Sequence, residues 1–355
     1  MITNESIKLL CEDFYSHGKL GIEYAIIFVY NDTDNADDLH RTECISPIEY
    51  QMIINSFKMI ALYVYSYNSE ISFIKSIDSL KRKHTFILVY SMAQNINGVG
   101  RRALIPLLCK YYNLINIASD EYASFLSGNK ELMHKLLEKN PKLNFPKTIY
   151  ISNYNYDISP NIIDSMCDDG KYIIKPIDES ASIGVKVFNL SSTNRNKIHN
   201  ELMEYSRIYS SFCIQEYIEG YEVEVPIIKI LEEFFCPGAC QIVFDENIQY
   251  LDYDTIGVDS YGFAHYPYDD TEIIANAISV AQELQFNNIS RIDFRISGNV
   301  PYIIDIGANP TISTHSTTNY LCREIFGHQS SVYHLLVIQA LIQSGLFKPS
   351  FNQAK

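Results

Sequence analysis

The chain has 355 residues, 47% of them hydrophobic and 20% charged, with a formal net charge of -14 and a pI of about 5.1. That length supports a large core and two or three domains or lobes, while the acidity excludes an extended nucleic-acid surface, which needs a basic footprint. No apolar run reaches the roughly 18 residues of a membrane span, and MITNESIKLLCEDF lacks a basic segment followed by an apolar one, so the expectation is a cytoplasmic chain with neither membrane nor nucleic acid as partner.

In chain order, residues 22–30 (IEYAIIFVY) predict a first strand, and SPIEYQMIINSFKMIA from Ser46 predicts a helix with proline near its start. ALYVYSY and TFILVYSMA read as further strands alternating with helices, and ALIPLLCKYYNL (103–114) as another helix, which together suggest a parallel sheet. No glycine fingerprint of the dinucleotide-binding type accompanies them. Residues 121–139 are expected to be helical with a break near Gly128, and NFPKTIYIS leads into a new strand. KYIIKPIDESASIGVKVFNL (171–190) is strand, small-residue loop, strand, with Lys175 at a strand end. SFCIQEYIEGYEVEVPIIKI (211–230) is strand, connection, strand. Residues 269–286 form an amphipathic helix with an acidic first turn, and 330–345 a closing helix stopped at Gly345. The division that follows is an α/β domain over 1–120, a lobe over 121–210 and a second lobe over 211–355, the last two built from antiparallel hairpins with helices.

The chemistry concentrates in RIDFRISGNVPYIIDIGANPTISTHS (291–316), two strands joined at Ser297–Gly298–Asn299. Alternation gives Ile292 and Phe294 one face and Arg291, Asp293 and Arg295 the other. Asp305 ends the second strand. Two like charges side by side are costly unless a cation lies between them, and Mg²⁺ takes oxygen ligands from one or two carboxylates plus phosphates. Alternation also makes Glu222 and Glu224 face one way. Eight cysteines are scattered, and Cys236 with Cys240 is weak grounds for a metal site. No GxSxG elbow is present, so His265, His315, Cys213 and Ser316 need not form a triad.

The order of these motifs resembles the ATP-grasp superfamily and, within it, the D-alanine–D-alanine ligase family. The likeness runs from about residue 85 to residue 316 and is looser in the N-terminal domain. It implies an ATP-grasp fold in which the two antiparallel lobes sandwich ATP. By that resemblance Lys175 and the upstream Lys130 hold phosphates, and the loop carrying Glu179, Ser180 and Ser182 folds over them. Backbone groups near Glu216, Tyr217 and Ile218 meet adenine, and Glu222 binds the ribose. Asp293 and Asp305 hold Mg²⁺, or Mn²⁺ as an alternative, with Asn309 as a further ligand. Arg291 and Ser182 act at the transferring phosphoryl group. Glu43, Thr311, His315 and Ser316 face the substrates.

The implied reaction is ATP-dependent joining of an amino acid or small acid to an amine through an acyl phosphate, by a cytoplasmic homodimer. Several positions depart from the family pattern. Ser180 and Ala181 stand where glycine and serine are usual, Thr255, Ile256 and Gly257 where alanine, lysine and tyrosine are usual, and Gly307 where asparagine is usual. NINGVGRRALIPLL carries Arg101 and Arg102 after its glycines, which fits either a substrate with its own carboxylate or a solvated helix start. These departures make a specialised ligase the leading expectation, with the cell-wall D-alanyl-D-alanine ligase and a nucleotide binder without turnover as alternatives.

Overall fold

The structure is a computed structural model that describes residues 2–18, 21–33, 40–96, 98–152, 162–163, 165–166, 169–244, 263–328 and 331–350. Three sheets organise it. The first contains β1 (Ala25–Val29), β2 (Tyr63–Tyr67), β3 (Ile87–Ser91) and β4 (Ile115–Asn116), all parallel, in the order β2-β1-β3-β4. Its central strands are buried along their whole length, as expected for uninterrupted apolar runs covered on both faces. The helix Pro47–Lys58 starts on a capping box: Ser46 Oγ accepts from the Glu49 N–H, and Glu49 accepts from the Ser46 N–H.

The second sheet holds β5 (Thr148–Ser152), β6 (Lys171–Pro176), β7 (Lys186–Asn189) and β8 (Ser211–Glu216), in the antiparallel order β5-β8-β6-β7. The third holds β9 (Tyr221–Ile230), β10 (Glu233–Phe235), β11 (Ala239–Phe244), β12 (Phe263–Tyr268), β13 (Ile289–Ser297) and β14 (Val300–Gly307). Its main order is β12-β11-β9-β13-β14, and β10 pairs with β9. A parallel sheet followed by two antiparallel ones is the architecture expected from the sequence.

The chain changes sheets between Glu216 and Tyr221, so the strand 211–216 sits with the middle sheet and not with the last lobe. Gly220 marks this change. A Cβ there would lie 1.9 Å from the Ile296 carbonyl oxygen, so only glycine lets the hinge run this close to β13. Two further segments pack away from their neighbours in sequence. The helices Glu121–Leu126 and Lys130–Leu137 bury Ala123, Leu126, Met133 and Leu137 in the core of the third sheet. The closing helix Ser331–Gln343 is apolar on all sides and lies in the core of the first sheet, against Phe57 and Tyr90. The C-terminal end of the described chain thus completes the N-terminal core.

A candidate nucleotide and acid site

Two adjoining cavities lie where the three sheets meet, of about 180 Å³ and about 220 Å³. The first is lined by Lys130, Lys175, Glu179, Ser180, Ser182, Glu216, Tyr217, Ile218, Glu222, Arg291, Asp293 and Asp305. The second collects Glu43, Asn309, Thr311, His315 and Ser316. Lys130, Ser180, Ala181, Arg291 and Asp305 line both, and so form a shared wall.

Lys175 is the penultimate residue of β6, and its ammonium donates to the Ile304 carbonyl at 3.1 Å. Burial holds its pKa below the usual lysine range, although Asp305 favours the cation. Lys130 opens its helix behind the Asn129 N-cap, and its Nζ donates to the Glu179 carbonyl at 2.6 Å and lies 3.9 Å from Asp305. The loop between β6 and β7 is tightly wound. Ala181, Ser182 and Gly184 all have positive φ, and a Cβ at Gly184 would sit 2.7 Å from the Tyr209 ring and 2.8 Å from Pro176. Successive left-handed residues turn backbone N–H groups toward one side, which suits an anion.

At the hinge, two cations stand over the Tyr217 ring, with Lys171 Nζ 3.9 Å and Arg295 Cζ 4.6 Å from its centroid. Glu222 is buried, and Arg295 Nη1 donates to it at 3.2 Å. Burial pushes the Glu222 carboxyl up to about 7; Arg295 opposes that rise and Glu224 adds to it.

The strands β13 and β14 pair Asp293 directly with Asp305, and β9 brings Glu224 opposite Asp293 on the other side. Arg291 Nε and Nη2 each donate to Asp293 at 2.7 Å, and Nη2 lies 3.3 Å from Glu224. Thr317 Oγ1 also donates to Glu224. Two carboxylates, Asp293 and Glu224, therefore share one guanidinium, with Asp305 beside Asp293 across the strand pair. Burial, Glu224 and Asp305 push Asp293 up to about 7 against the pull of Arg291. Asp305 stays below the carboxylate range, because Lys130, Lys175 and Arg291 outweigh its burial. An all-oxygen donor set from two paired aspartates fits a hard divalent cation that keeps waters and phosphate oxygens as its remaining ligands. Asn309 sits apart from this pair. Its Nδ2 donates to the Ser91 carbonyl at 3.2 Å, and its Oδ1 has no hydrogen-bond partner among the described residues.

In the second cavity, Glu43 is 3% exposed, and both arginines after the glycine turn converge on it. Arg101 Nη2 donates to Glu43 Oε1 at 2.9 Å and to Glu179 Oε2 at 2.9 Å. Arg102 Nη2 reaches Glu43 Oε1 at 3.3 Å and Ser180 Oγ, and its Nε donates to Gln94 at 2.6 Å. Ser180 Oγ donates to Glu43 as well. The two arginines are therefore not a solvated helix start; they clamp the loop after β6 onto the N-terminal domain. Ser316 caps the helix Thr317–Phe326, accepting from the Asn319 N–H at 3.2 Å and donating to the Ser313 carbonyl at 3.1 Å. Thr311 and His315 are exposed along the same wall. Residues 251–257, expected to bear on the first substrate, lie outside the described residues. The sequence reading missed Arg295 and Glu224 as partners of site residues. Register supplies the signal, since β9 and β13 pair Glu222 with Arg295 and Glu224 with Asp293.

A family profile described as an ATP-grasp domain matches residues 127–315, just over half of the chain. A D-alanine–D-alanine ligase of Pseudothermotoga lettingae is 27% identical over 146 residues, which is 40% of this chain and 47% of that protein. The chain thus spans about half the length of the curated relative it matches. Among solved structures, a D-alanine–D-alanine ligase from Bacillus anthracis complexed with ATP superposes with a TM-score of 0.67 at 12% identity, covering 91% of this chain and 99% of that one. The VanG D-Ala:D-Ser ligase from Enterococcus faecalis superposes with a TM-score of 0.64 at 14% identity, over 90% and 100% of the two chains. These likenesses establish a common fold.

Proposed function

The chain belongs to the ATP-grasp family, and from that membership we propose that it is an ATP-dependent carboxylate–amine ligase working through an acyl phosphate. The observation that carries this reading is the shared wall, which lets a nucleotide in the first cavity meet an acid in the second across Lys130, Ser180, Ala181, Arg291 and Asp305. Tyr217 and Ile218 would border the adenine, Glu222 the ribose hydroxyls, and Lys130 and Lys175 the phosphates. N–H groups of the Ser180–Gly184 loop and the Ser182 hydroxyl would cover the γ-phosphate.

An acid oxygen then attacks the γ-phosphorus, the bond to the β–γ bridging oxygen breaks, and ADP leaves with that electron pair. Arg291 stands beside the reacting centre and stabilises the charge that develops there. The amine nitrogen attacks the acyl carbon, the carbon–oxygen bond to phosphate breaks, and the nitrogen releases a proton as inorganic phosphate departs. Magnesium, or manganese in its place, would be held by Asp293 and Asp305 and would neutralise phosphate charge. No protein nucleophile is required; positioning and electrostatics supply the acceleration. The reading further takes the enzyme to be a cytoplasmic homodimer acting on small-molecule acids and amines.

Release of ADP and phosphate from Mg-ATP, followed against paired acids and amines with product masses, tests this reading. ADP formed only with an acid–amine pair supports it. AMP and pyrophosphate as products would overturn the acyl-phosphate route.

A further inference from the structure

We propose that the acid-side cavity selects an acyl donor bearing a second carboxylate, held by Arg102, and rejects one bearing an ammonium at that place. The inference rests on the ligase reading. An ammonium needs a carboxylate with spare charge. Glu43, the acid nearest that role, already receives Arg101, Arg102 and Ser180 on one oxygen. A third cation beside it would meet two guanidiniums at close range in a poorly solvated pocket, where like charges repel strongly. Of the other carboxylates of the cavity, Glu49 closes its capping box, and Glu224 and Asp305 belong to the cluster at the shared wall where the metal and phosphates would sit.

Arg102 is the opposite case. Its Nε and Nη2 are bound to Gln94, Glu43 and Ser180, and Nη1 has no hydrogen-bond partner among the described residues. The side chain is 22% exposed and lines the cavity. Fixed by those bonds, the guanidinium presents a preorganised donor to an anion, at little entropic cost. Arg41 lines the same cavity and adds positive charge. A dicarboxylate would then place one carboxylate at the shared wall for phosphorylation and the other at Arg102.

The test is hydroxylamine trapping with Mg-ATP. The hydroxylamine nitrogen displaces phosphate from the acyl phosphate and gives a hydroxamate, read as its coloured ferric complex, so the natural amine need not be known. Succinate, glutarate and malate are compared with butyrate and with alanine and serine of both chiralities. The expected result is hydroxamate from one or more dicarboxylates at a kcat/KM at least tenfold above the best monocarboxylate or amino acid. Arg102→Gln should raise the KM for the dicarboxylate roughly ten- to hundredfold, the effect of losing a charge-assisted bond, with a smaller change in kcat. The preference over butyrate should collapse with it. A general structural defect would lower both acids together and leave that ratio unchanged, which would count against Arg102. Amino acids as the best donors would overturn the inference and leave the ligase standing. ATP binding without hydroxamate from any acid would overturn the ligase reading, and the inference with it.

Discussion

Two arginine–carboxylate clusters face each other across the shared wall, and they are balanced in opposite ways. On the acid side two guanidiniums meet two carboxylates, Glu43 and Glu179, and Arg102 keeps a donor to spare. On the nucleotide side one guanidinium pairs with two carboxylates, Asp293 and Glu224, while the neighbouring Asp305 lies 3.9 Å from Lys130, and Asp293 is driven up to about 7. Both clusters are built from arginine and carboxylates, although Asp305 is 45% exposed and Glu43 only 3%. What differs is the ratio of guanidinium to carboxylate. A cluster with excess carboxylate calls for a cation, and a cluster with an unused guanidinium N–H calls for an anion. Residue identity alone does not give this; the count of partners at each charged atom does.

The comparison is sharpest where a carboxylate has no arginine of its own. Asp305 lies in the shared wall with only Lys130 at 3.9 Å as an ion-pair partner among the described residues. Asp305→Asn should therefore lower ADP formation by about 10²–10³-fold, comparable to losing one preorganised electrostatic contact to a transition state, while thermal unfolding shows an intact fold. The same variant should lose most of the rise in Tm that Mg²⁺ gives the wild type. Full activity in this variant would dissolve the distinction between the clusters.

A second test reads the surplus charge directly. The folded Asp293 pKa of about 7 stands above its unfolded value of roughly 3.9. The native state therefore holds this proton more tightly. The resulting stabilisation is complete below about pH 4 and is lost as the pH rises through about 7. Without divalent cations, wild type should lose on the order of 2 kcal/mol of unfolding free energy relative to Asp293→Asn between pH 5 and pH 8. Denaturant titrations at the two pH values check the sign. A difference that grows in favour of wild type at high pH would mean that Arg291 satisfies the cluster unaided.

Much of the nucleotide side was legible because strand periodicity fixes side-chain direction. Alternation in RIDFR put Arg291 and Asp293 on one face, and β13 and β14 indeed pair Asp293 with Asp305. Glu222 and Glu224 follow the same rule along β9. The acid side was less legible, because Glu43 and Arg101 come from separate elements 58 residues apart and meet only through packing. The double arginine was visible, but nothing local told a solvated turn from a buried clamp. The partner of the closing helix was hidden for a similar reason. The apolar closing helix announces burial on every side without naming its partner, and it proves to complete the first sheet's core.

The smallest expected effect is also the most discriminating. Glu43→Gln removes one carboxylate from the balanced cluster. Arg101 retains Glu179, and Arg102 retains Gln94 and Ser180, so the cost is below that of stranding a buried charge and should be about 1–2 kcal/mol by urea titration. With less competing negative charge, Arg102 should grip an anionic donor more firmly, and the KM for a dicarboxylate should fall about two- to fivefold, or ~0.4–1 kcal/mol. If Glu43 instead held a substrate ammonium, the same change would raise the KM for amino acids tenfold or more, since a buried ion pair would lose its anion. Stability falls on either account. Only the direction of KM separates a pocket tuned for a second carboxylate from one tuned for an amine.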